Sequence, residues 1–389
     1  MKRLASMFMN VLVIFCIGTL IILAASLLLD NLFVKKGSVT VNKNVMSEFN
    51  YDMDNSVVQQ ENINTDDIWD YDETGEYIQV SADGINIVCW GDSITYGQGG
   101  SEAVVNKDDE IIDISGWDYP TTLQYYTGMN VYNLGVCGET SYEIALRQGG
   151  IKMYINKQIT IKSGKKTKVD IVDEYGNAVM LQNFNGYQTN NDEPENIVYV
   201  NDYAYKLSYE KGAFYISMYD NNSSASVKLK KGTQVLTKAA YDMSGDVIII
   251  QMGSNGGWDN YSELIDQFKR MIANSGAEYY IIVGDTDNPD ESIEAQYYES
   301  SEEVGLNNTY WEAALEEEFG EHFLNMRTYM LSQAIETTGL AYSEDDIADI
   351  SYGRVPESLK SDYTHLNSYG YYAMGVAIYE KGQQLGYWD

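Results

Sequence analysis

Two short stretches of this 389-residue chain carry the residue types that nucleophilic acyl chemistry needs. The first, CWGDSITYGQGG over residues 89 to 100, sets an apolar run directly against a Gly-Asp-Ser turn, so that Ser93 sits where a buried strand would end. The second, SDYTHLNSYG over residues 361 to 370, holds His365 three residues after Asp362. A serine hydroxyl becomes a nucleophile when a base takes its proton, and that base works best when a carboxylate orients it. The chain has two histidines. His322 lies in the acidic run EEEFGEHF and reads as a solvated surface residue. His365 has a carboxylate within reach of its own loop and is the better candidate. No serine lies in G-x-S-x-G, which removes one common way of presenting a nucleophile. Taken singly, a Gly-Asp-Ser turn and a D-x-x-H spacing also occur as ordinary turn chemistry.

These residues need a scaffold. INIVCW, DVIIIQM and YYIIVG are short apolar runs of the kind that form strands buried on both faces of a parallel sheet. Helix-like stretches lie between and after them: YSELIDQFKRMIANSG, TYWEAALEEEFGEHF and YGYYAMGVAIYEKGQQLG. Strand alternating with helix predicts a three-layer α/β/α sandwich over residues 81–150 and 246–389. Ser93 would then stand at the carboxyl end of the first strand, where open α/β sheets place their ligands. Residues 151–245 break the rhythm with alternating or β-rich runs split by Gly, Asn and Asp turns. That segment has 12 basic and 10 acidic side chains, and ten tyrosines, inside an otherwise acidic chain. It reads as an inserted all-β subdomain that walls the cleft or holds a polymer, with a set of hairpins on the parent domain as the plainer account. Its replacement by a short linker is therefore expected to leave hydrolysis of a small ester largely intact.

Four segments, in order, resemble the sequence blocks of the SGNH (GDSL-type) hydrolase superfamily: GDSITYG, NLGVCGETS, MGSNGG and DYTHLN. The resemblance implies a flavodoxin-like α/β/α domain that needs no cofactor, with Ser93 as nucleophile, His365 as base and Asp362 as its orienting acid. It also implies an oxyanion hole made by the backbone N–H groups of Ser93 and Gly138 and the side-chain amide of Asn255. One position departs from the pattern: Gly256 stands where the family usually has Asp.

Composition narrows the partners. The formal net charge is −33, from 58 acidic and 25 basic residues, so the surface repels polyphosphate and nucleic acid is not an expected partner. Cys16 lies in the N-terminal apolar run; the remaining Cys89 and Cys137 form no C-x-x-C and no metal-type cluster, and read as two free thiols, with a single bridge as the alternative. Val11 to Leu29 carries no charge and is long enough to span a bilayer, which makes residues 1–36 a membrane anchor, or else a cleaved signal, and places the catalytic body outside the cytoplasm. Residues 37–80 form an acidic lead-in. The expected substrate is a small acyl ester or an acylated glycan, with acetyl as the favoured group. The alternatives are acyl transfer onto a glycan, lysophospholipase or thioesterase action, and a surface-binding protein with no catalysis.

Overall fold

The computed structural model describes residues 69–71, 77–79, 86–107, 110–181, 186–187, 196–219, 226–286 and 304–388. The expected anchor in residues 1–36 lies outside the described residues, as does most of the lead-in, where strands Trp69–Tyr71 and Tyr77–Gln79 pair antiparallel. Among the described residues no helix is long and apolar enough to cross a membrane.

Five strands build the central sheet: β1 (Asn86–Gly91), β2 (Asn130–Gly135), β3 (Val247–Gln251), β4 (Tyr279–Val283) and β5 (Phe323–Leu324). All neighbours are parallel and the order across the sheet is β5-β4-β3-β1-β2. Successive side chains of a strand point to opposite faces, so a sheet covered on both faces reads as an unbroken apolar run. Ile87 and Cys89 of β1 join Val247, Ile249 and Ile281 on one face. Val88 and Trp90 join Ile248, Ile250 and Ile282 on the other. The first face is covered by α2 (Tyr119–Thr127), α6 (Met326–Ser332) and α7 (Ser368–Leu385); the second by α3 (Ser141–Gln148), α4 (Tyr261–Ser275) and α5 (Tyr310–Phe319). The result is a three-layer α/β/α arrangement. Burying each of Ile248, Ile249 and Ile250 completely stabilises the sheet by at most about 3 kcal/mol.

The chain runs from β1 outward to β2 and then returns to β3 on the opposite side of β1. Connections leaving β1 and β3 therefore diverge, and a crevice opens at the carboxyl ends of these two strands. Ser93 and Asn255 both follow those ends.

Between α3 and β3, residues 151–245 hold nine strands among the described residues. Seven form one antiparallel sheet and two, Ile159–Lys162 and Ser226–Leu229, form a separate pair. The all-β expectation misses the helix Lys238–Asp242, which Thr237 caps through its hydroxyl. The first and last strands, Met153–Ile155 and Gln234–Thr237, are neighbours, with Val235 opposite Met153. The segment is fastened to the α/β layers. Met153, Ile155 and Val235 belong to the same hydrophobic cluster as Ile144 of α3 and Met271 of α4. The Tyr142 hydroxyl donates to buried Asp173, and Arg270 pairs with Glu174 at 3.1 Å. A linker in place of this segment would leave those apolar faces uncovered, so the expected tolerance to its removal has no support in the packing.

Candidate active site

Ser93 is placed by the junction of β1 with the one-turn helix α1 (Ser93–Tyr96). At Gly91 a Cβ would lie 2.0 Å from Thr95 Oγ1 and 2.5 Å from Gln251 O, so only glycine lets the chain turn that close to β3. Asp92 caps the helix: its Oδ1 accepts the Ile94 N–H at 3.0 Å. Ser93 is 6 % exposed, and its hydroxyl meets an imidazole rather than bulk water.

That imidazole comes from the loop entering α7. Asn367 caps the helix by accepting the Gly370 N–H at 3.1 Å, and its amide donates to Ser358 O at 2.8 Å. Within the loop, Asp362 Oδ1 accepts the backbone N–H groups of Thr364 and His365 at 2.9 and 2.8 Å. The carboxylate so fixed lies 2.9 Å through Oδ2 from His365 Nδ1, and His365 Nε2 lies 3.1 Å from Ser93 Oγ. Partial burial works against the charge on Asp362, but the N–H bonds and the imidazole outweigh it and hold the carboxyl below its usual range. With the Nδ1 proton donated to Asp362, Nε2 is left as an acceptor facing the hydroxyl.

The loops after β2 and β3 complete the rim. Gly138 has φ 77° and is exposed, a conformation that glycine adopts freely. Asn255 is also exposed; its Nδ2 lies 3.1 Å from Glu139 O and 3.3 Å from Asp92 Oδ2. Gly256, the departure from the resembled pattern, has φ 77°, and its carbonyl accepts both the backbone N–H and the hydroxyl of Ser141 at 2.9 and 3.0 Å. The two rim loops are thus bonded to each other. Glycine adopts that left-handed backbone freely, and Asn and Asp are the residues that tolerate it next best.

Beneath the rim lies a floor of buried charge that sequence reading missed. Asp92, Glu139 and Arg147 are each fully buried. Burial pushes the Asp92 carboxyl up to about 6, against the Ile94 N–H, the Ser254 hydroxyl and the charge of His365, which act the other way. Arg147 Nε pairs with Glu139 Oε2 at 2.6 Å. The one signal was an arginine directly after the apolar run IAL.

His322 is not a solvated residue: its ring stacks on Tyr280 at 4.3 Å between centroids, and Nδ1 lies 2.7 Å from the Tyr387 hydroxyl. Tyr280 belongs to β4, and Tyr387 follows α7. Cys89 is a buried thiol and Cys137 a half-buried one. Among the described residues, no group of three or more His, Cys, Asp or Glu is placed to hold a metal ion.

No family model matches the chain, and no curated protein matches it. A solved structure from Desulfitobacterium hafniense DCB-2, provisionally described as a lipolytic protein of the G-D-S-L family, aligns with a TM-score of 0.36 and 11% identity over 76% of this chain and 99% of its own.

Proposed function

We propose that the chain is a serine esterase of the SGNH type, acting on acyl esters through Ser93, His365 and Asp362. The observation that carries this reading is the continuous chain of contacts from Ser93 Oγ to His365 Nε2 at 3.1 Å and from His365 Nδ1 to Asp362 at 2.9 Å. Nucleophile, base and orienting carboxylate stand within hydrogen-bond reach, at the sheet end where a substrate can enter.

In this reading His365 Nε2 takes the Ser93 proton as Oγ attacks the ester carbonyl carbon. The imidazolium that forms is stabilised by Asp362, which stays ionised. Charge developing on the carbonyl oxygen falls to the Ser93 and Gly138 N–H groups and the Asn255 amide. The Asn255 bond to Asp92 is the longer of its two, and an oxyanion would compete for that donor. His365 then returns the proton to the leaving alcohol, and a water attacks the acyl-enzyme with the same base.

The proposed substrate is an acetyl ester on a carbohydrate. Tyr363, 73 % exposed between Asp362 and His365, offers an aromatic face at the rim on which a sugar ring can stack. Residues 151–245 are read as an inserted subdomain beside the site, and residues 1–36 as the anchor that holds the catalytic body outside the cell membrane.

The test uses the full-length chain with a fluorophosphonate probe, p-nitrophenyl esters of rising chain length, and acetylated glycans. Ser93→Ala should abolish labelling and reduce turnover by about a million-fold. A folded Ser93→Ala protein with wild-type ester hydrolysis would overturn the reading.

A further inference from the structure

We propose that Arg147 is a positioning residue through which the β-rich segment 151–245 holds the oxyanion loops in register, so that turnover depends on the Gly186 carbonyl, a group outside the catalytic layers. This inference rests on the esterase reading of the site.

Arg147 stands in the last turn of α3 with its guanidinium fully buried, 5.0 Å from the Trp90 ring centre. Its donors go three ways. Nε pairs with Glu139 at 2.6 Å, Nη2 donates to Gly91 O at 3.1 Å, and Nη1 donates to Gly186 O at 2.8 Å. Its own carbonyl accepts the Thr237 hydroxyl at 2.8 Å. Glu139 and Gly91 are the neighbours of the groups that would meet the oxyanion: Glu139 directly follows Gly138, its carbonyl accepts the Asn255 amide, and Gly91 lies two residues before Ser93. The Gly138 and Ser93 donors therefore stand one and two residues from an Arg147 contact, and the Asn255 amide bonds the carbonyl of a contact residue. The remaining arm of the guanidinium is held by the Gly186 carbonyl of the β-rich segment, and Thr237 of the same segment holds the Arg147 backbone.

A guanidinium is a rigid planar fork, so its bonds cannot be adjusted one at a time. If the Gly186 carbonyl moves, the fork either leaves a buried donor unpaired or turns, and turning displaces Glu139 and Gly91 together. Losing one oxyanion donor costs about a hundred- to a thousand-fold in turnover, and small misplacements of reacting groups already cost a large part of that.

Gly186 offers a way to perturb the link from the far side. It has φ 88°, and a Cβ there would lie 2.5 Å from Ala239 Cβ and 2.9 Å from Thr237 Oγ1. Gly164→Ala is the control, because that glycine lies in the same segment at φ 65° with nothing within 4 Å of its Cβ position. In the full-length protein with a small acetyl ester, Gly186→Ala should lower kcat by about tenfold or more with KM little changed, while Gly164→Ala, which carries only the backbone cost of a positive φ, keeps wild-type kcat. Arg147→Lys, which keeps a charge for Glu139 but has no fork, should show the same fall in kcat and serves if Gly186→Ala does not fold. Amide hydrogen exchange over residues 136–142 needs no catalysis and should be faster in Gly186→Ala than in Gly164→Ala. Equal kcat in Gly186→Ala and Gly164→Ala, with equal exchange, overturns the inference and leaves the esterase reading standing. Faster exchange in a protein with no Ser93-dependent hydrolysis would keep the coupling and overturn the esterase reading.

Discussion

Asp92→Asn should gain stability relative to the wild type as pH rises toward neutrality, and be worse at its reaction. Burial raises the Asp92 carboxyl from 3.8 to about 6, so between those values the folded chain binds a proton that the unfolded chain does not. Stability fully present below the unfolded value is then lost as pH rises through the folded one. A fully buried group moved that far corresponds to about 3 kcal/mol. Asparagine does not titrate, so the stability of the variant minus that of the wild type should rise by up to about 3 kcal/mol between about pH 4 and about pH 7, then level off. Asparagine can still accept the Ile94 N–H, but the atom facing Ser254 and Asn255 becomes an NH2 group that opposes the Asn255 amide. Any cost of that opposition offsets the whole curve and leaves its pH slope unchanged. Urea unfolding of both proteins over this range at fixed ionic strength, with ester turnover measured alongside, provides both readings. A difference that stays flat across the range would refute the claim that a buried, proton-holding Asp92 lies under the site.

His365→Ala should remove general-base catalysis and reduce turnover by about a hundred- to ten-thousand-fold in a steady-state assay. His322→Ala should instead leave kcat near wild type and lower the melting temperature, because its ring packs on Tyr280 and bonds Tyr387. Asn255→Ala should lower kcat by about a hundred- to a thousand-fold with little change in KM; a raised KM at unchanged kcat would make Asn255 a substrate contact instead.

The parallel sheet was legible where its strands were unbroken apolar runs, as in DVIIIQM, since burial on both faces removes the need for polar positions. The strand NVYNLG was not, because Asn133 serves a local purpose: its amide donates to Thr95 O at 2.9 Å and to Asp118 at 2.7 Å, tying β2 to the turn after β1. β5 has only two residues and carries too little pattern to find. Asp362 with His365 can be read from spacing, because both lie in one loop. The buried floor cannot: Asp92 reads only as part of a turn motif, and the Arg147 pairing with Glu139 is set by a helix whose start lies between them. Gly186 is further still, 39 positions from the guanidinium it meets.

The adjacency of Met153 and Val235 also bears on how the chain folds. Pairing β1 with β3 brings Ile87 against Val247, a closure across 160 residues, and long closures are what slow folding most. If the β-rich segment forms first, its two ends are already side by side and roughly half of that loop is short-circuited. Halving a loop recovers only about 0.6 kcal/mol of closure entropy, because the cost grows with the logarithm of length. A segment that enters and leaves on neighbouring strands therefore adds little entropic burden to the assembly of the sheet around it, and the point between α3 and β3 can carry a large domain-sized excursion without making the parent fold harder to reach.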